Sequence, residues 1–117
     1  MAGEALFIGW GVAVRGRGKR ALDLFQESVA YWGSLQQDGK IEGFDAVVLQ
    51  PHGGDLAGFV VLRGERTTLD EVRASPEFTR LVMRANLLVD GIGVVTAYTG
   101  EALGRQMAML AEVVEDL

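Results

Sequence analysis

The stretch FDAVVLQPHGGDLAGFVVLRG, Phe44 to Gly64, decides the fold. Two β-rich runs, 44–50 and 58–63, flank a connection containing Pro51, His52, Gly53, Gly54 and Asp55. Glycines supply the backbone angles of a reversal, so the two runs read as strands of a hairpin. Pro51 has no N–H to give to a ladder, which places the first of these strands at a sheet edge.

Upstream, residues 5–14 alternate between two faces. Leu6, Ile8, Trp10, Val12 and Val14 share one; Phe7, Gly9, Gly11 and Ala13 share the other. This predicts a strand buried on both sides, with glycines where another backbone or a ligand comes close. The turn RGRGKR follows, and then Leu22, Phe25, Val29, Trp32 and Leu35 recur at spacings of three and four, the pattern of an amphipathic helix. Gly39 is placed to end that helix in the left-handed conformation.

Downstream of the hairpin, Thr68 and Glu71 have capping-box spacing and predict a short helical turn. Ser75-Pro76-Glu77 marks a further helix start, with Ser as N-cap and Pro in the first turn. That helix offers Phe78, Leu81, Val82, Ala85 and Leu88 to a core and stops near Asp90-Gly91. The run IGVVTAYTG predicts a last strand, and Leu103, Met107, Leu110, Val114 and Leu117 form an apolar stripe on a C-terminal helix. The order is β-α-β-β-α-β with one extra helix. Right-handed crossovers then give a ferredoxin-like α+β domain, a four-stranded antiparallel sheet with both crossover helices on one face. In that arrangement the second strand is an edge strand, as Pro51 requires.

Composition sets the outer bounds. A chain of 117 residues makes one domain, 1–117, with room for a true core. The net charge of −5 argues against a nucleic-acid binder. There is no Cys, hence no disulfide, thiolate metal site or Cys nucleophile, which suits a cytoplasmic protein. The N-terminal apolar run has an acid before it and basic residues after it, the wrong order for a secretory signal, and it is too short to span a membrane.

Two helices cover one face of a four-stranded sheet, yet neither face is mostly polar. Phe7, Ala13, Ala46, Val48, Val60, Leu62, Val95 and Ala97 divide between them. An exposed apolar face of that size predicts a homodimer joined through the sheet, with back-folding of the C-terminal helix as the alternative. With FDAVVLQPHGGDLAGFVVLRG and SPEFTRLVMRANLLVDGIGVVTAYTG in this order, the chain resembles the dimeric α/β-barrel proteins with ferredoxin-like subunits. That superfamily includes antibiotic-biosynthesis-type monooxygenases, haem-degrading monooxygenases, muconolactone isomerases and many uncharacterised bacterial proteins, which the chain resembles most. The resemblance implies a sheet–helix cleft that binds or converts a small organic molecule, by oxygenation or isomerisation without a cofactor. A non-catalytic dimeric binding or assembly module with a filled pocket is the alternative.

Individual residues carry the candidate chemistry. Gly16, Gly18 and Ala21 spell a loose dinucleotide fingerprint, but the acid such a site needs about twenty residues on falls at Asp38, at a helix end. A P-loop fails as well, with Ala13 in place of its first Gly and Arg20 in place of Ser or Thr. Arg15, Arg17, Lys19 and Arg20 crowd a helix N-terminus, either as a solvated turn or as an anion site. His52, the only histidine, is a turn residue or a general acid or base. As a haem ligand it departs from the haem-degrading relatives, whose His stands on a helix. Trp10 is core or the floor of the pocket that the resemblance implies, and Tyr31 is a surface ring or part of a cleft rim. Arg63 and Asn86 end apolar segments, as caps or as polar groups of a pocket. Nothing in the sequence groups metal ligands.

Overall fold

A computed structural model describes residues 3–116. The elements run β1 (Glu4–Trp10), α1 (Gly18–Gln37), β2 (Gly43–Val48), β3 (Gly58–Arg63), α2 (Arg66–Ala74), α3 (Pro76–Leu88), β4 (Gly93–Tyr98) and α4 (Gly100–Glu115). The strands form one antiparallel sheet in the order β2-β3-β1-β4. This is the ferredoxin-like arrangement, and β2 lies at an edge. The hairpin that decides it holds: β3 spans the residues expected, and β2 stops at Val48, before Pro51.

Register divides the sheet into two faces. Leu6 stands opposite Leu62 and Thr96, and Ile8 opposite Val60 and Val94, so these side chains share the inner face. There they meet Trp32 and Leu35 of α1, Leu69 and Val72 of α2 and Phe78 of α3 in the main core. Trp32 is held by its rings' neighbours: its centroid lies 5.0 Å from that of Tyr31 and 5.9 Å from that of Phe78. Phe7, Phe59, Val61, Val95 and Ala97 share the outer face, where Phe7 and Phe59 stack at 5.3 Å.

Three expectations are corrected. The first strand ends at Trp10, not at residue 14, and Val12 is 65% exposed instead of sharing the face of Leu6 and Ile8. Residues 11–14 leave the sheet to run beside the end of α3: Gly11 N–H donates to Asp90 O (2.6 Å), Asp90 N–H to Val12 O (2.9 Å) and Val14 N–H to Leu88 O (2.9 Å). Gly11 permits this, because a Cβ there would stand 2.9 Å from Asp90 O and 3.0 Å from Asp55 O. The expected close approach of another backbone at a glycine is met at that point.

The buried residues of α1 are Leu24, Ser28, Trp32 and Leu35, whereas Leu22 is 55% exposed and Val29 only half-buried. Ser28 can face inward on this buried stripe because its hydroxyl donates to Leu24 O at 2.7 Å, satisfying itself on its own helix. The third correction concerns Thr68 and Glu71, which lie inside α2; Glu65 takes the N-cap place, and no side-chain cap closes this helix. Ser75 does cap α3 as expected, its hydroxyl accepting from Phe78 N–H (3.3 Å).

The C-terminal helix touches its own subunit at one end. Ala102 is buried beside Gly3, where a Cβ would stand 2.9 Å from that of Ala102. Beyond that first turn the apolar side chains of α4 are exposed. The radius of gyration is 15.8 Å, against about 13 Å for a compact chain of this length. The helix extends the molecule and leaves the outer sheet face uncovered.

Candidate functional site

Between the inner face, α1 and α3 lies an apolar cleft of about 60 Å³. Ile8 and Trp10 form its floor, Leu24, Phe25 and Ser28 come from α1, and Leu81 and Ala85 come from α3, with Ile92 closing the end. Small residues make the room: Ala21 on α1 and Ala85 on α3 stand where larger side chains would close the gap. Trp10 meets Phe25 in a tilted contact at 5.9 Å, and this pair narrows the cleft. The ring of Trp10 also needs Gly58 across the strands, since a Cβ there would fall 2.7 Å from Cζ2 of Trp10. Ser28 is the one polar side chain in the lining, and its hydroxyl is committed to Leu24 O. The lining of the cleft is therefore apolar.

Trp10 is the only sequence-predicted site residue that lines this cleft. Tyr31 lines a separate, polar groove with Ser34, Asp38, Lys40, Glu71 and Glu77. The change of side follows from helical geometry, because Tyr31 sits one residue round from the buried Trp32. Arg63 lies on the outer face, where its guanidinium pairs with Asp45 of β2 and passes over Gly43. It ties the edge strand to its neighbour and is not a pocket group. Asn86 is exposed on α3 and lines none of the cavities described here.

His52 is exposed in the β2–β3 loop, away from the cleft. Its Nε2 lies 2.9 Å from Leu56 O, and Gly54 N–H donates to Nδ1 at 3.3 Å. Both contacts are met together by the neutral ring with its proton on Nε2. The side chain thus shapes its own loop, with Gly53 at φ 86° completing the bend. Among the described residues no group of three or more His, Asp and Glu side chains is placed to hold a metal ion.

The basic turn forms another place on the surface. Arg17 and Arg20 line a depression of about 350 Å³ with Asp23, Arg84 and Leu87. Arg17 donates to Leu87 O (3.3 Å), Lys19 pairs with Asp23 (3.2 Å), and Arg84 grips Glu27 through two hydrogen bonds of 2.7 and 2.9 Å. The hydrogen bond from Arg84 holds the Glu27 carboxyl below its ordinary range, and Glu27 in turn raises Arg84. Arg15 is exposed in the same turn but is not part of the depression. Of the cations in the turn, Lys19 is thus answered by an acid on α1, Asp23, and Arg17 by a backbone carbonyl.

In the sequence, Phe25 falls on the apolar stripe of the helix and Ser28 does not. The signal for both was steric: a serine and two alanines, Ala21 and Ala85, at positions that face the same gap. Hydrophobic spacing alone does not register such absences of volume.

No protein-family model matches the sequence, and no curated protein sequence does either. Solved structures do resemble the subunit. A dimeric protein of unknown function and ferredoxin-like fold from Jannaschia sp. CCS1 superposes with a TM-score of 0.62 at 13% identity, covering 84% of this chain and 99% of that one. A dimeric ferredoxin-like protein of unknown function from Bacteroides fragilis gives 0.60 at 8% identity, covering 82% and 96%. SnoaB, a cofactor-independent oxygenase from Streptomyces nogalater, gives 0.56 at 14% identity, covering 86% and 97%. The chain thus has the ferredoxin-like fold found in these bacterial proteins, two of them described as dimers and one as a cofactor-independent oxygenase.

Proposed function

We propose that the protein is a homodimer, joined through the outer face of its sheet, that binds a small apolar organic molecule in the cleft between the sheet, α1 and α3. The observation that carries the ligand reading is the lining: Ser28 is its one polar side chain, and that hydroxyl is satisfied within its own helix. The outer face supports the dimer, because Phe7, Phe59, Val61 and Val95 leave an apolar surface that α4 does not cover. Likeness to solved proteins described as dimers supports it too. The cysteine-free sequence suits a reducing compartment such as the cytoplasm.

The cleft holds about 60 Å³, far below the roughly 300–1,000 Å³ of pockets for drug-sized ligands. Its occupant is accordingly a compact ring or short chain, admitted as Phe25 yields from Trp10. The small volume also favours a second reading, a dimeric assembly module whose pocket is filled by its own side chains.

A thermal-shift series with indole, naphthalene and cyclohexane derivatives separates the two. A ligand that binds only the folded state at a hundred times its Kd adds about 2.7 kcal/mol of stability. The binding reading expects such a rise and its loss in Ala85→Leu, which fills the cleft. A panel that moves the melting temperature of neither protein leaves the assembly module. Oxygen consumption measured with any compound that does bind tests conversion, since SnoaB is a cofactor-independent oxygenase.

A further inference from the structure

The C-terminal helix is built to be buried, and its own subunit does not bury it. Around α4, at 100° per residue, Ala102, Leu103, Gln106, Met107, Met109, Leu110, Val113 and Val114 fall in one arc of about 160°. Glu101, Arg105, Glu112 and Glu115 fall in the remainder. Of the apolar arc only Ala102 is buried, and the six large side chains are each between 44% and 57% exposed. Arg105 reaches back to Glu4 (3.2 Å), which fastens the first turns of the helix to β1 from the polar side. An amphipathic helix owes most of its stability to the burial of its apolar face, so this one calls for a partner.

We infer that α4 lays this apolar arc against the second copy of the chain, as part of the same interface as the outer sheet face. The inference rests on the homodimer proposed above and says what completes it. Area is the reason for choosing a second copy. A stable interface takes about 800 Å² from each partner. At their observed exposures the six α4 side chains present on the order of 500 Å². On the outer sheet face Val95 is 56% exposed, while Phe7, Phe59 and Val61 are half-buried. Those strand side chains therefore offer less apolar area than the helix, and a second copy seated on the sheet comes nearer a standard interface by covering α4 as well.

Position agrees with area. The helix starts where Ala102 packs beside Gly3, and Gly3 leads straight into β1. Ala5, the first outer-face residue of β1, is buried there as well. The apolar arc is therefore continuous with the sheet surface, and one partner can cover both. Two copies related by a two-fold axis would each give a helix and receive one.

Hydrogen exchange of the full-length protein, above and below its dissociation midpoint, reads this directly. Amides from Met107 to Val114 are expected to gain at least tenfold protection only where the dimer is populated. Equal protection at all concentrations would mean that α4 folds back on its own subunit, and the inference fails. Sedimentation of Met107→Lys/Leu110→Lys is the second measurement, with Ala108→Lys on the polar arc as control. The double variant is expected to weaken the dimer at least tenfold and the control to leave it unchanged.

The two readings fail differently. A dimer broken by Val95→Arg but indifferent to the α4 double variant keeps the homodimer and overturns the helix contact. A wild-type monomer at all concentrations, with α4 unprotected, overturns both and leaves the helix to another protein.

Discussion

The two faces of the sheet are made from the same kinds of residue and have opposite fates. On the inner face Leu6, Ile8, Val60 and Leu62 are all but sealed. On the outer face Phe7, Phe59 and Val61 are half-buried, and Val95 is 56% exposed. A strand with period two carries an apolar side chain to each face in turn, and nothing in its own residues says which face the helices will take. Connectivity decides that. Two right-handed crossovers put α1 and α3 on one side, and the other side is left to whatever else the chain can bring to it. Apolar character thus means core on one face, and on the other an exposed surface, the one proposed above to join two copies.

The sharpest way to test this difference is to damage the inner face. Leu62 is fully buried at the centre of the main core. Leu62→Ala is expected to cost about 2–5 kcal/mol through lost transfer energy and the cavity left behind. Chemical denaturation should show that loss at every protein concentration, because the inner face belongs to the folding of one chain. A cost that vanished on dilution would break the comparison.

Much of the fold can be read from the sequence because two local signals agreed. Pro51 demanded an edge strand and the element order supplied one at β2; Ser75-Pro76-Glu77 announced α3, and Ser75 does cap it. Misreadings arose where a tertiary contact outvoted a local pattern. Val12 fits the alternation of β1, but three backbone hydrogen bonds between residues 11–14 and 88–90 draw it out of the sheet. Ser28 looks polar, yet it turns inward because its hydroxyl has a partner on its own helix. The candidate site was less legible still. Its defining feature is the gap left by Ala21, Ser28 and Ala85, and a gap is a property of three segments at once. Trp10 lines the gap, whereas Arg63 lies on the outer face beside Asp45, and the end of a strand does not say which face its side chain takes.

The next prediction concerns the outer face. Val95→Arg introduces a charge on the apolar surface and touches none of the inner core. Thermal stability of the isolated chain should stay within about 0.5 kcal/mol, as for most surface substitutions. Association should weaken at least tenfold, or about 1.4 kcal/mol, when followed by light scattering over a dilution series. An equal loss of folding stability would mean that the outer face is core after all.

The smallest effect belongs to the outside of the helical layer that covers the inner face. Arg84 on α3 grips Glu27 on α1 through two hydrogen bonds, and the pair ties together the two helices that flank the cleft. Both groups are solvent-exposed, so screening keeps the contribution small. Its pH dependence has a definite sign. The folded state holds Glu27 below its ordinary value of 4.5, chiefly through the hydrogen bond from Arg84. The unfolded chain therefore takes up that proton first as the pH falls. Stability from the pair is complete above the ordinary value and declines below it, as the pH passes down through the depressed folded one. Glu27→Gln should remove that part of the acid dependence, lower stability slightly at neutral pH, and leave dimerisation at neutral pH unchanged. The pair lies on the helix side of the sheet, and an altered dimer constant in this variant would mean that the partner reaches the inner layer as well.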